Sequence, residues 1–265
     1  NQYMYYNVGR AKLVGNISGY DSLVTIESLR SYYFSSYNPD SLVYFNVNPI
    51  RPEKVKSIEL GYRGTFGGKF YVDAGYYYNW YRDFIGFLNG LDIFITDLTG
   101  EAFIRNAYRI ATNSEERITT QGFSVGFNYY FNENYMINGN YSWNKLNKLA
   151  DDPIIPSYNT PEHKFNLGIT GREITIDALN LNQIGFNLNF KWIEGFVFEG
   201  SPQFTGNVPT YGLLDFQITK AFSKQNLSAK FGASNVLNNK VLQVYGGPYV
   251  GRMIYLSLLF DWKDK

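Results

Sequence analysis

From about residue 55 onward, apolar and polar side chains alternate in run after run. Ile58, Leu60, Tyr62 and Phe66 are set against Glu59, Gly61 and Arg63, and Gly67-Gly68 then predicts a tight hairpin turn, because glycine accepts positive φ without strain. The return run sets Phe70, Val72, Ala74, Tyr76, Tyr78 and Trp80 against Tyr71, Asp73, Gly75, Tyr77 and Asn79. Period two sustained over about ten residues is longer than an average globular strand. The pattern returns at 123–129, 137–143, 165–170, 186–192, 214–219, 227–232 and 254–262, which makes about nine strands on the template of a transmembrane barrel.

The connections sort by length. Gly67-Gly68, Asn132–Asn134 and Ser223–Asn226 are short, and the link from Gly171 to Asn182 is somewhat longer. Long polar and aromatic stretches lie near 86–103, 146–162, 197–210 and 235–250. Short turns at one end and long loops at the other are the plan of an outer-membrane barrel, with the long loops outside the cell. A soluble carbohydrate-binding β-sandwich is the alternative outside membranes. It has no reason to sort its loops this way, and its outer faces are polar rather than lined with Phe and Tyr. Residues 1–52 carry little period, with one candidate helix at Ser22–Tyr33. They are expected to be the end of a preceding strand and a long extracellular loop, with barrel strands filling 53–265. The fold class expected is all-β: an antiparallel transmembrane β-barrel, here a partial barrel.

Composition agrees. Aromatic residues make up 18 % and charged residues only 18 %, against about 25 % charged in an ordinary soluble domain. No apolar run is long enough for a spanning helix. The mean hydropathy of −0.27 does not argue against a barrel, whose strands average lipid-facing and lumen-facing residues. Zero cysteine rules out a disulfide scaffold and a cysteine zinc site. A net charge of +1 offers nothing to nucleic acid. No signal peptide is visible at Asn1, so a mature chain or a fragment is expected.

Few motifs carry chemistry. Gly122-Phe123-Ser124-Val125-Gly126 matches a nucleophile elbow, with Asp151, Asp152 and His163 following in hydrolase order. The alternation runs straight through it, however, so no enzyme is expected. One histidine cannot build a two-imidazole metal site, although Asp151-Asp152 could contribute to a calcium loop. Gly246-Gly247-Pro248-Tyr249-Val250-Gly251 lacks the Lys-Ser/Thr of a phosphate loop. Asn16, Asn140 and Asn226 open Asn-x-Ser sequences that read as turn and lumen residues. Tyr62, Trp80, Trp143, Trp192 and Trp262 suit interfacial girdles. Rings in the long loops, Tyr32, Tyr33, Tyr37, Phe198, Phe204, Tyr245 and Tyr249, suit stacking and hydrogen bonding to a ligand. No cofactor or metal is expected.

The C-terminal end, GASNVLNN (Gly232–Asn239), VYGGPYVGR (Val244–Arg252) and MIYLSLLFDW (Met253–Trp262), resembles the closing strands of TonB-dependent outer-membrane receptors. NPIRPEKVKSIELGYRG (Asn48–Gly64) resembles a strand partway along such barrels, and NTPEHKFNLG (Asn159–Gly168) with FEGSPQFTGNVPTY (Phe198–Tyr211) fits receptors of the Bacteroidetes type. The ending specific to glycan-importing SusC-type receptors is absent. The resemblance implies a 22-stranded barrel with an N-terminal plug, energy-coupled uptake of a scarce small ligand, and residence in the Gram-negative outer membrane. The implied partners are outer-membrane lipid, the TonB complex acting through the plug, and the barrel assembly machinery, which would read Phe260 and Trp262. The plug, the TonB-contacting box and a first dozen strands are not in these residues, so the chain is expected to be the C-terminal part of a receptor. A passive porin or adhesin barrel is the alternative within membranes.

Overall fold

The computed structural model describes residues 12–148, 153–179, 181–200 and 204–262. Nine antiparallel strands form one sheet: β1 (Lys54–Phe66), β2 (Phe70–Arg82), β3 (Ile118–Tyr130), β4 (Tyr135–Asn147), β5 (His163–Ile176), β6 (Leu181–Ile193), β7 (Tyr211–Phe222), β8 (Leu227–Ser234) and β9 (Met253–Phe260). Each pairs with its neighbours in sequence, so the order runs from β1 to β9 without a crossover. Among the described residues the outer edges of β1 and β9 are unpaired, and the sheet is an open wall.

The register puts the polar and apolar rows on opposite faces, as the alternation requires. Val72 lies beside Phe127, and Leu188 lies between Ile169 and Phe216. One residue away, Asp73 lies beside Arg63, and Asn187 between Thr170 and Gln217. Glu59, Asn128 and Asp215 share the polar face, Ile58 the apolar one. Side chains on the polar face bond to one another across strands: Arg63 Nη2 donates to Asp73 at 2.6 Å, Asn166 to Asn140 at 2.8 Å, and Asn187 to Thr170 at 2.9 Å. A hollow of about 640 Å³ opens on that side, lined by residues that include Ser57, Glu59, Asp73, Tyr77, Asn144 and Lys164. The apolar face is uncovered, with Leu60 68 % and Leu258 64 % exposed. A wall whose apolar side faces outward needs a lipid environment, because water would leave that surface unburied.

Short turns all lie at one end. Gly67 and Gly68 adopt φ of 56° and 67°, as a tight hairpin requires. The Asn132 side chain accepts from the amides of Asn134 and Tyr135, closing the next turn. A 3₁₀ turn with Asn226 in the left-handed region (φ 49°) joins β7 to β8. The link expected from Gly171 to Asn182 is shorter than its sequence suggested. β5 continues through two register shifts to Ile176, and a single 3₁₀ turn, Asp177–Leu179, leads into β6.

The opposite end differs from expectation in several respects. The stretch 86–103 is not an irregular loop. Ile85–Ile95 and Ala102–Asn113 pair as a long hairpin that grows directly out of β2 and β3, with Ser114 N–H donating to Phe84 O at the joint. Residues before β1 fold onto this hairpin. Lys12–Val14 runs parallel to 108–110, Tyr20–Val24 pairs with Tyr44–Val47, and helix α1 spans Ile26–Phe34 rather than Ser22–Tyr33. Thr25 caps α1, its hydroxyl accepting from Ser28 N–H at 3.0 Å. This second sheet has its own core, Val24, Ile26, Leu29, Tyr32 and Leu42 against Leu91, Ala102 and Ala107. It stands on the end of the wall and does not cover the apolar face. The last strand stops at Phe260, two residues short of the expected Trp262.

Candidate functional site: the folded rim

The long-connection end is held together by contacts distant in sequence. The buried side chain of Arg109 donates to Glu199 at 2.7 Å and to Thr205 at 2.8 Å, and its guanidinium lies 4.9 Å from the Phe87 ring centre. Glu199 in turn exchanges backbone hydrogen bonds with the Asn159 side chain, at 2.7 and 3.0 Å. One buried ion pair thus ties the 85–113 hairpin to the connection between β6 and β7, and Asn159 ties in the connection between β4 and β5.

The connections after β6 and β8 interlock. Each contains a small hairpin, Phe196–Phe198 with Gly206–Val208 and Val241–Leu242 with Tyr249–Val250. The Tyr245 ring sits against Gly206 and the Phe204 ring against Gly246, where a β-carbon would overlap each ring. Gly246 also has φ +80°, a conformation costly for other residues. Gly246→Ala therefore loosens this contact, and amide exchange across 241–250 accelerates while the wall strands keep their protection. Unchanged exchange there would show that the rings do not hold the loops together.

The expected ligand-facing rings are distributed unevenly. Tyr32 is 1 % exposed and its hydroxyl donates to Gly100 O, so it packs the rim and presents no face to solvent. Tyr33 and Tyr37 meet it edge-on with centroids 6.1 and 5.7 Å away, and both remain partly exposed. The Tyr33 phenol is pushed above its ordinary pKa by burial, then by Tyr37, Glu101 and Tyr32. Phe198 and Tyr245 are half-buried, whereas Phe204 and Tyr249 are exposed. Tyr158 reaches the polar face of β2, where burial and then a hydrogen bond with Tyr77 raise its pKa.

Sequence reasoning missed Arg109, Glu199 and Thr205. It also missed a hollow of about 360 Å³ where the second sheet meets the wall, lined by residues that include Asn46, Asn48, Arg51, Thr112, Glu115 and Glu116. Ser124 lies mid-strand beside Ser142 and Gly75, not at a strand-to-helix elbow. Gly122 leaves room for the Tyr77 ring, to which a β-carbon would come within 2.7 Å. His163 Nδ1 is 2.6 Å from the Tyr141 hydroxyl. Asn16 is buried in a turn, its amide bound to Asn48 O at 2.6 Å. Asp151 and Asp152 lie outside the described residues.

Sequential antiparallel strands, apolar outside and polar inside, with tight turns at one end and folded connections at the other, define the wall of a transmembrane β-barrel. The chain belongs to the family described as TonB dependent receptor-like, beta-barrel, whose model matches residues 19–236. Its membrane is the outer membrane of a Gram-negative cell. Among solved structures it is similar to the copper transporter OprC, with TM-score 0.60 and 15 % identity over 79 % of this chain and 31 % of that one. It is also similar to the siderophore receptor PirA from Acinetobacter baumannii, with TM-score 0.54 and 18 % identity over 82 % and 33 % of the two chains. The FrpB iron transporter from Neisseria meningitidis (F3-3 variant) gives TM-score 0.53 and 13 % identity over 80 % and 32 %. The chain spans about a third of the length of these structures. No curated protein matches it.

Proposed function

We propose that these residues are the C-terminal part of the barrel of a receptor that imports a scarce small ligand by TonB-coupled transport. The observation that carries the reading is the open wall of nine strands, matched to about a third of each of these solved structures. A closed barrel needs further strands on the free edges of β1 and β9, and a plug to gate it. This part supplies wall and rim; TonB pulls on the plug. Such a part transports and does no covalent chemistry. The 1–52 segment and the long connections face the cell exterior, because outer-membrane barrels keep their short turns in the periplasm. Asn159–Gly168 and Phe198–Tyr211 support a receptor of the Bacteroidetes type. Phe260 and Trp262, with ring centres 6.0 Å apart at the end of β9, serve as the assembly machinery's signal.

The exposed rim rings Tyr33, Tyr37, Phe204 and Tyr249, with Phe198 and Tyr245 behind them, make first contact with the ligand, since binding residues concentrate on loops held by a rigid scaffold. In the intact receptor without TonB, Phe204→Ala or Tyr245→Ala weakens affinity, screened with copper(II) and ferric siderophore complexes. Tyr71→Ala and Tyr77→Ala, down the polar face, matter less. Loss at the two lumenal tyrosines with unchanged affinity at both loop variants would place the site inside the barrel.

A further inference from the structure

The outward face of β1 to β3 changes character sharply near the long-connection end. Ile58, Tyr78 and Phe123 belong to the apolar band; one step higher, Lys56 lies beside Trp80, and above them Lys54 lies directly opposite Arg82. Arg117 immediately precedes β3. Lys54, Lys56, Arg82 and Arg117 surround a hollow of about 250 Å³ whose lining is completed by Trp80 and Tyr81. All four cations are exposed, and none has an ion-pair partner among the described residues. Of the acids beside these strands, Glu53 accepts from Ile85 N–H at 3.0 Å and Asp83 pairs with Arg51 at 2.8 Å, while Glu115 and Glu116 line the separate hollow where the second sheet meets the wall. Like charges placed directly opposite across two strands repel, so this arrangement is relieved by an anion seated between them.

The position selects the kind of anion. The hollow opens on the lipid-facing side, where cargo in the lumen does not pass. Directly below it Tyr78 and Trp80 pack with ring centres 4.6 Å apart, forming an apolar shelf at the level where aromatic girdles meet headgroups. A phosphate carried on acyl chains satisfies both halves: its charge among the lysines and arginines, its chains along the rings and the apolar band beneath. Basic pockets at membrane level bind anionic headgroups by the same physics. We propose that Lys54, Lys56, Arg82 and Arg117 form a site for the phosphate of an outer-leaflet glycolipid, holding one lipid against the wall beneath the folded rim. The assignment to the outer leaflet rests on the sidedness proposed above.

The test uses the full-length receptor in phosphatidylcholine nanodiscs, titrated with a bisphosphorylated acyl glycolipid and read by native mass spectrometry. The wild type retains the glycolipid, and retention falls as salt rises. The combined variant Lys54→Gln, Lys56→Gln, Arg82→Gln and Arg117→Gln retains it at least tenfold more weakly, and the dephosphorylated glycolipid binds the wild type as weakly. If that variant fails to insert, Lys54→Gln with Arg82→Gln, the opposed pair alone, shows the same direction. Equal retention by wild type and variant overturns the site, as does equal binding of the dephosphorylated lipid. Displacement by millimolar inorganic phosphate would make it a soluble-anion site and contradict the lipid assignment. Preference for phosphatidylglycerol over the glycolipid would also contradict it, and would place the fault in the sidedness rather than in the cationic cluster.

Discussion

Arginine at position 188 destabilises the inserted barrel by about 2–4 kcal/mol, while arginine at position 187 costs far less. The two residues are neighbours in β6, so helix propensity, expression and chain position are matched between them. They differ in what they face. Leu188 lies in an outward row between Ile169 and Phe216, near the middle of β6. A guanidinium there must enter hydrocarbon or distort the bilayer to reach water. Asn187 lies in the polar row, donating to Thr170 at 2.9 Å beside Gln217, and an arginine there keeps its hydration. Denaturant titration of folding into vesicles measures both variants against the wild type. Equal losses would mean that the in/out register of β6 is wrong.

The second large effect belongs to the rim. Arg109→Leu leaves Glu199 nearly buried without the guanidinium that neutralises it, and removing one partner of a buried ion pair costs about 3–5 kcal/mol. The loss is local. Amides in 85–113 and 196–208 exchange faster, while β4, β5 and β6 keep their protection, because the pair joins two rim segments. Replacing both partners, Arg109→Met with Glu199→Leu, recovers much of the protection, since a packed apolar pair carries no charge to desolvate. Hydrogen exchange on the reconstituted receptor distinguishes the outcomes. Protection unchanged by Arg109→Leu would mean that the rim is held by its apolar core alone.

Legibility divides along the same line as the architecture. The wall was readable because one face meets lipid and the other water, which imposes period two on β1 to β9 and fixes the register through pairs such as Val72 with Phe127. Turn chemistry was readable at Gly67-Gly68 for an equally local reason. The rim was not. In Ile85–Ile95 both faces are partly covered by other segments, so its apolar residues run together, as in FLNGLDIFI, and no alternation betrays a strand. Tyr32 looked like a displayed ring because nothing in its neighbourhood announces Gly100, 68 positions away, as its partner. Arg109 and Glu199 are 90 residues apart and belong to different connections, so neither carries a local signal. The bulged end of β5 was hidden because register shifts between Gly171 and Ile176 break the period that identifies a strand.

The claim on which the rest depends is that one face of this sheet meets lipid and the other an aqueous lumen. The 265 residues contain no cysteine, so none within them competes when single cysteines are introduced one at a time at positions 184–193 of the intact receptor, cleared of any cysteine elsewhere, and spin-labelled. Electron paramagnetic resonance in vesicles then measures accessibility to oxygen, which partitions into the bilayer, and to a water-soluble nickel chelate. Labels at 186, 188 and 190 should favour oxygen, and labels at 187, 189 and 191 the nickel chelate, in strict alternation. Accessibility without a period of two, or nickel access equal at Leu188 and Asn187, would contradict a membrane-spanning wall.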